Sequence, residues 1–198
     1  MPSFLVVGLG NPGSDYALNR HNVGQMALDV LAERIGAPFK SHKANAKVAE
    51  GRLRAQEPAG EDIKLILARS HGFMNTSGGP VANLLKFYGL TPADLIVLHD
   101  ELDIPAAEVR LKFGGGHGGH NGLRDIIAAI GTQDFARVRI GIGRPPGQMD
   151  AADYVLRNFG TAEKKDLAVT LELSADAVEA VARDGFAIAQ NRVNQGDS

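Results

Sequence analysis

Histidine and asparagine side chains recur in several loops of this 198-residue chain, and they are the residues best suited to chemistry. Neutral histidine can act as a general base, whereas an asparagine amide both donates and accepts hydrogen bonds without carrying charge. Such a set favours recognition of an ester, an amide or a ribose hydroxyl beside phosphates, which would repel carboxylates. We expect one member, Asn22, to cap a helix, the commoner role of such a residue. The set comprises Asn11, Asn19, His21, Asn22, Asn75, His120 and Asn121.

A glycine-rich segment near the N-terminus, Gly8-Leu-Gly-Asn-Pro-Gly13, matches the dinucleotide-binding pattern G-x-G-x-x-G. In that motif a helix begins on the glycines and points its N-terminus at pyrophosphate. Here Pro12 and further loop residues precede the helix, and the acidic residue about 20 positions on, Glu33, falls within that helix. We therefore disfavour nucleotide binding.

A serine hydrolase is a second alternative. Ser70 lies in Ala68-Arg-Ser-His-Gly72, which is similar to a nucleophile elbow, and Ser70, Asp100 and His120 follow the chain order of α/β hydrolases. An elbow needs a helix directly after the serine, but the following residues, rich in glycine and ending in Pro80, are poor helix formers. The arrangement stays open as the second choice.

A metal site is a third alternative. His117 and His120 could bind a metal if His99 and Asp100 converged on them from another strand. Their spacing alone is weak evidence, and the sequence contains no H-E-x-x-H helix. A hydrogen-bonded loop histidine is the simpler interpretation, so we expect no metal and no cofactor.

Strands alternating with helices must position these residues, and the segment after Leu98 places Asp100 at the carboxyl end of a buried strand. The pattern predicts an α/β fold with a mixed sheet, because a hairpin interrupts the crossovers, in one domain over residues 1–198. The predicted strands are Phe4–Leu9, Lys47–Arg54, Ile63–Ala68, Leu95–Leu98, Val109–Phe113 and Ala136–Ile142, with the second and third forming the hairpin. The predicted helices are Asn22–Ile35, Val81–Tyr88, Leu123–Ile130 and Ala162–Arg183.

Composition limits the location and partners of the protein. The chain has no cysteine, no basic leader and no run of about 18 apolar residues, so we expect a cytoplasmic protein without a membrane partner. The formal charge of −2 argues weakly against nucleic acid, but the stretch Arg110–Arg144 has six basic residues and two acidic ones. A local basic surface for phosphate is therefore conceivable.

Four segments of the chain carry a family resemblance. They are Val7-Gly-Leu-Gly-Asn-Pro-Gly-Ser-Asp-Tyr-Ala-Leu-Asn-Arg-His-Asn-Val-Gly24, Phe73-Met-Asn-Thr-Ser-Gly78, His99-Asp-Glu-Leu-Asp103 and Gly114-Gly-Gly-His-Gly-Gly-His-Asn-Gly-Leu123. These segments resemble the characteristic motifs of bacterial-type peptidyl-tRNA hydrolases, follow the family order and fall within about Phe4 to Phe159. The resemblance implies a monomeric α/β domain with a mixed twisted sheet flanked by helices, and hydrolysis of the ester joining an N-blocked peptide to the 3′-terminal ribose of tRNA.

The resemblance also implies roles for individual residues. His21 would be the catalytic base, Asp100 its stabilising partner, and Asn11 the residue that senses the first peptide unit of the substrate. Lys112 and Arg139 would clamp tRNA phosphate. The residues implied to line the peptide and ribose end of the cleft are Tyr16, Phe73, Met74, Asn75, His120 and Asn121.

One segment departs from the family pattern. The family usually has Lys-Pro, a variable residue and Thr before its Phe-Met-Asn, whereas this chain has Arg69-Ser-His-Gly72. Arg69 keeps the charge, but the proline and the threonine are absent. A non-catalytic RNA-binding protein and a serine esterase remain the alternatives to the hydrolase.

Overall fold

A seven-stranded mixed sheet forms the centre of the protein, in a computed structural model that describes residues 1–196. The strand order is β2-β3-β4-β1-β5-β7-β6, with β4, β1, β5 and β7 parallel and the other pairs antiparallel. The strands are β1 (Ser3–Gly8), β2 (Lys40–His42), β3 (Ala46–Leu53), β4 (Ile63–Ser70), β5 (Leu95–Glu101), β6 (Val109–Phe113) and β7 (Ala136–Gly141).

Six α-helices flank the sheet in the described part of the chain. No helix there combines the length and apolar character that crossing a membrane requires. The helices are α1 (Val23–Arg34), α2 (Gly78–Phe87), α3 (Asn121–Ile130), α4 (Ala151–Val155), α5 (Thr161–Asp184) and α6 (Phe186–Asn194), with 3-10 turns at Arg20–Asn22, Met74–Thr76 and Pro92–Asp94.

Both faces of the sheet are covered, which explains why β1 is a continuous apolar run. Its side chains alternate between two cores. Val6 faces the core built with α1, α5 and α6, whereas Leu5 and Val7 face the core built with α2 and α3. The predicted α/β fold with a mixed sheet is confirmed, and so is the hairpin of β3 and β4.

The parallel strands bring the candidate residues to one edge of the sheet. Because β1, β4 and β5 run in the same direction, the loops that follow them meet at their carboxyl ends. These loops carry Asn11 after β1 and Asn75 after β4, while Asp100 is the penultimate residue of β5.

Some predicted element boundaries were wrong, and three elements were not predicted. α2 begins at Gly78 instead of Val81, because Pro80 occupies the first turn, where a backbone N–H needs no helical partner. α3 begins at Asn121 instead of Leu123. The elements not predicted are β2, α4 and α6. β2 and α4 are too short to show a periodic pattern.

Candidate active site

Asp100 lies between two histidine rings. Its Oδ2 is 2.8 Å from Nδ1 of His21, and its Oδ1 is 2.7 Å from Nε2 of His120. The side chain is almost fully buried. Burial alone would raise the pKa of Asp100, but the two histidines outweigh it and hold that pKa well below its ordinary range. The carboxylate is therefore ionised and accepts a hydrogen bond at each oxygen.

The tautomer of His120 follows from its position at the N-terminus of α3. His120 is the N-cap residue, and its Nδ1 accepts hydrogen bonds from the backbone N–H groups of Gly122 at 3.2 Å and Leu123 at 3.4 Å. A nitrogen that accepts cannot carry the ring proton of a neutral imidazole. The proton is therefore on Nε2, which donates to Asp100.

His21 presents a free ring nitrogen to the site. The residue lies in the 3-10 turn before α1, and its Nδ1–H donates to Asp100, so Nε2 carries the lone pair. Burial lowers the pKa of His21, but the charge and the hydrogen bond of Asp100 raise it by more, so the net pKa lies above 6.5. This arrangement can take a proton from a water molecule.

Two glycines allow His21 to approach Asp100. A Cβ atom on Gly24 would lie 2.3 Å from the carbonyl oxygen of Leu98, and one on Gly8 would lie 2.6 Å from the carbonyl oxygen of Gly24. Both contacts are with backbone, so neither neighbour could move aside cheaply. The first turn of α1 thus packs directly on β1 and β5, three residues after His21.

Asn11 is fixed by two neighbours. The side chain of Asn22 accepts a hydrogen bond from the backbone N–H of Asn11 and donates one to its carbonyl, each at 2.9 Å. The Oδ1 of Asn11 accepts the backbone N–H of Met74 at 2.7 Å, which leaves its Nδ2 group available to a ligand. Asn22 is the N-cap residue of α1, as predicted, but its side chain makes no capping bond, because both ends of its amide are used on Asn11.

A cavity of about 660 Å³ opens beside these groups. Phe73, whose side chain is 54% exposed, and Asn75 line it together with the residues described above, and the short helix α4 contributes apolar side chains. The α4 residues were not predicted, and a five-residue helix leaves no periodic signal by which to find them. The lining is formed by Asn11, His21, Phe73, Met74, Asn75, His99, Asp100, Glu101, Leu102, His117, Gly118, Gly119, His120, Asn121, Ala151, Ala152, Val155 and Leu156.

Sequence and structural relatives assign this chain to a family. The family model described as peptidyl-tRNA hydrolase matches residues 5–198. The chain belongs to the peptidyl-tRNA hydrolase family. The peptidyl-tRNA hydrolase of Pseudarthrobacter chlorophenolicus is 57% identical over 190 residues, covering 96% of this chain and 94% of the relative. That of Frankia alni is 59% identical over 189 residues, covering 96% and 92%.

Solved structures agree with the sequence relatives. The crystal structure of peptidyl-tRNA hydrolase from Acinetobacter baumannii has a TM-score of 0.83 and 38% identity, covering 96% of this chain and 94% of that one. The prediction of a hydrolase that releases tRNA from peptidyl-tRNA is thereby confirmed.

The serine arrangement does not form in this hydrolase. Asp100 and His120 are in contact, but the hydroxyl of Ser70 accepts the backbone N–H of Gly72 at 2.9 Å and lines a different cavity. The residues after Ser70 form bends and a 3-10 turn instead of a helix. The second-choice interpretation is therefore wrong.

The residues considered for the alternative metal site do not all converge, because His117 is used within its own loop. The ring of His117 accepts the backbone N–H of Gly119 at 3.0 Å, and His99 donates to the carbonyl of Asp100 at 2.8 Å. The group with suitable atoms is His21, Asp100 and His120, whose candidate ligand atoms lie within 4.8 Å of one another. Both rings point an N–H at the carboxylate there, so the three residues satisfy one another by hydrogen bonds.

Three predicted binding residues lie outside the cavity lining. Tyr16 contacts Phe73 edge-on, with ring centroids 6.0 Å apart. Lys112 lies on β6 and Arg139 on β7, and neither residue lines the cavity. Arg139 donates to Glu101, which does line the cavity, at 2.8 Å.

Proposed function

We propose that His21 is the general base of peptidyl-tRNA hydrolysis and that Asp100 orients it. The observation that carries the proposal is the direction of the hydrogen bonds, because Asp100 occupies Nδ1 of His21 and leaves Nε2 as an acceptor beside the cavity. Nε2 would take a proton from water as the water oxygen attacks the ester carbonyl. The imidazolium would then return the proton to the departing ribose oxygen. General base catalysis of this kind contributes about 10²- to 10⁴-fold.

Two asparagines supply candidate contacts to the substrate. The free Nδ2 group of Asn11 can donate to the carbonyl of the first peptide unit, which an N-blocked chain has and a charged aminoacyl-tRNA lacks. Asn75 is exposed on the cavity wall and is our candidate donor to the oxyanion, a contact whose loss in other hydrolases costs about 3 kcal/mol. Phe73 and Met74 would bound the peptide, with Tyr16 supporting Phe73, and Asn121 and His120 would lie toward the ribose.

Phosphate contacts would hold the tRNA outside the cavity. Lys112 has no carboxylate partner in residues 1–196, whereas Arg139 is paired with Glu101 and would have to share its charge. Such contacts are indifferent to base sequence, which suits an enzyme that acts on many tRNAs. We further propose that the protein acts as a monomer in the cytoplasm, as one domain over residues 1–198, without metal or cofactor.

The test compares N-acetyl-aminoacyl-tRNA with aminoacyl-tRNA as substrate, in the presence and absence of EDTA. We expect cleavage of the blocked substrate only, unaffected by EDTA, and abolished by His21→Ala. His71→Ala is the matched control, because His71 is an exposed histidine outside the cavity lining, and it should retain the wild-type rate. Activity that is lost in EDTA and restored by zinc would replace the proposed base with a metal-bound hydroxide.

A further inference from the structure

Arg137 is a buried cation that donates to backbone carbonyls of two loops, the one before α3 and the one after it. Its side chain on β7 is 2% exposed, and no carboxylate lies within ion-pair distance of it in residues 1–196. The guanidinium instead donates to the carbonyl oxygens of Gly115 at 2.6 Å, Gly116 at 2.7 Å and Gln133 at 3.1 Å. A buried charge is costly unless its donors are used, and the three carbonyls occupy both terminal nitrogens of Arg137, while its buried Nε has no partner in the described residues.

The loop that Arg137 holds must return along the sheet before it reaches the site. Phe113, the last residue of β6, pairs with Ala136, which pairs with Ile96 on β5. Asp100 is four residues further along β5, a distance of about 13 Å at the usual rise per strand residue. The loop between Phe113 and His120 must therefore cover this distance over the β6 and β7 surface.

The glycines of this loop make its path entropically costly to hold. Gly114, Gly115, Gly118 and Gly119 all have positive φ values, between 59° and 86°. Glycine has the largest backbone entropy to lose on ordering, so contacts from outside must add to the bonds that His117 makes with Gly119 and His120 within the loop. Arg137 supplies such contacts near the start of the loop, at Gly115 and Gly116, and the far end reaches Asp100 through His120.

Arg137 also stands beside a second residue of the site. His99 lies on the neighbouring strand on the same face of the sheet, and its ring packs edge-on against His120 with centroids 5.2 Å apart. Burial, His120 and Arg137 lower the pKa of His99 to about 3, so its ring is neutral. A neutral His99 adds no positive charge beside His120 and leaves the carboxylate of Asp100 to the two rings bonded to it.

We propose that Arg137 is a positioning residue for the hydrolysis, which fixes the glycine loop at Gly115 and Gly116 and thereby sets the reach of His120 to Asp100. The inference rests on the proposed role of Asp100 and His21. Arg137 touches neither substrate nor reacting atoms in this scheme. Its effect should therefore pass entirely through His120.

A conservative substitution tests the geometry without removing the charge. In Arg137→Lys the ammonium cannot bridge the carbonyls as the planar guanidinium does. We expect kcat to fall about 10- to 100-fold, as is typical when a catalytic group is displaced by about 1 Å, with KM within about threefold. Arg34→Lys is the matched control, because Arg34 also makes several bonds, to Glu172, Asp176 and Glu179, far from the cavity, and it should leave kcat unchanged.

A double-mutant cycle distinguishes positioning from general damage. In a His120→Ala background, Arg137→Lys should lower kcat by less than about twofold further, because both changes remove the same contact. Multiplicative losses in the cycle, or a kcat for Arg137→Lys equal to that of Arg34→Lys, would overturn the proposal. If Arg137→Lys does not fold, Arg137→Gln, which keeps a planar donor group, replaces it in the cycle. A wild-type kcat for His120→Ala would also overturn the proposal, since it would leave Arg137 nothing to position.

A spectroscopic measurement separates this proposal from the proposed function. The Nε2 proton of His120 should give a slowly exchanging NMR signal in the wild type and exchange at least about tenfold faster in Arg137→Lys, as its hydrogen bond to Asp100 opens. This holds whether or not the protein cleaves the test substrate. An inactive wild type with the expected exchange would refute only the function, and unchanged exchange in an active enzyme would refute only the positioning role.

Discussion

Asp100→Asn tests the hydrogen-bond directions at the centre of the site. The Nδ1 atom of His120 is committed to the backbone N–H groups at the start of α3, so His120 presents an N–H to position 100. An asparagine there must turn its single oxygen to His120 and its NH₂ group to His21. That donor selects the tautomer of His21 with the proton on Nε2, which cannot accept a proton from water.

The size of the effect follows from two losses. In the productive tautomer of His21, its Nδ1–H faces the NH₂ group of the asparagine, so one N–H group has no acceptor. This costs ~1–3 kcal/mol, or about 5- to 150-fold in rate. Losing the charged acceptor for the imidazolium costs ~1.5–3 kcal/mol more, or about 10- to 150-fold. We therefore expect kcat to fall by about 10²- to 10⁴-fold in Asp100→Asn.

Single-turnover hydrolysis of N-acetyl-aminoacyl-tRNA by a double variant checks the reasoning. Removing the ring of His120 lets the amide of Asp100→Asn rotate and offer its oxygen to His21. Asp100→Asn/His120→Ala should therefore be at least about fivefold faster than Asp100→Asn, although His120→Ala slows the wild type. If the double variant is no faster, the tautomer argument is wrong, provided that urea unfolding shows all variants to be folded.

Three further predictions concern the base, acid stability and salt. His21→Ala should abolish turnover, whereas Ser70→Ala should keep it. In a pH–rate profile, kcat/KM of the wild type should fall as the pH drops through the pKa of His21, which lies above 6.5. His99 has a folded pKa of about 3 against 6.5 when unfolded, so the stability from its neutral form is complete above pH 6.5 and is lost as pH falls. Between pH 7 and pH 4.5 the free energy of unfolding, measured by urea titration, should fall by about 3 kcal/mol less in His99→Gln than in the wild type. An equal fall in both proteins would contradict this. Lys112→Ala should reduce the slope of log affinity for tRNA against log salt concentration by about 0.9. Arg139→Ala should reduce it by less, because Glu101 already neutralises Arg139. Equal slopes for Lys112→Ala and the wild type would show that Lys112 does not bind phosphate.

Local patterns were enough to predict the main elements of the fold. The apolar run of β1 and the periodic face of α1 each specify an element through their own residues. The fold class then followed from their alternation. α4 is five residues long and β2 is an exposed three-residue edge strand, so neither has enough residues for a period to show.

Contacts between distant residues could not be predicted in the same way. Asn22 fits a helix cap by position, and only the path of the preceding loop brings Asn11 to both ends of its amide. The resemblance placed His120 at the substrate, whereas its bond to Asp100 depends on a loop returning along the sheet. Arg137 seemed to belong to a basic surface, because arginine is seldom fully buried and nothing in the sequence indicated carbonyl partners.

The contact between Gly8 and Gly24 has a consequence for how mutations in this enzyme would be interpreted. A single methyl group at either position would push the start of α1 away from β1 and β5 and carry His21 away from Asp100. Every group that reacts would remain in the chain, and the cavity lining would be unchanged in composition. A screen that sorts inactive variants by the chemistry of the altered side chain would therefore attribute such a loss to misfolding, although what had changed was the spacing between two intact partners.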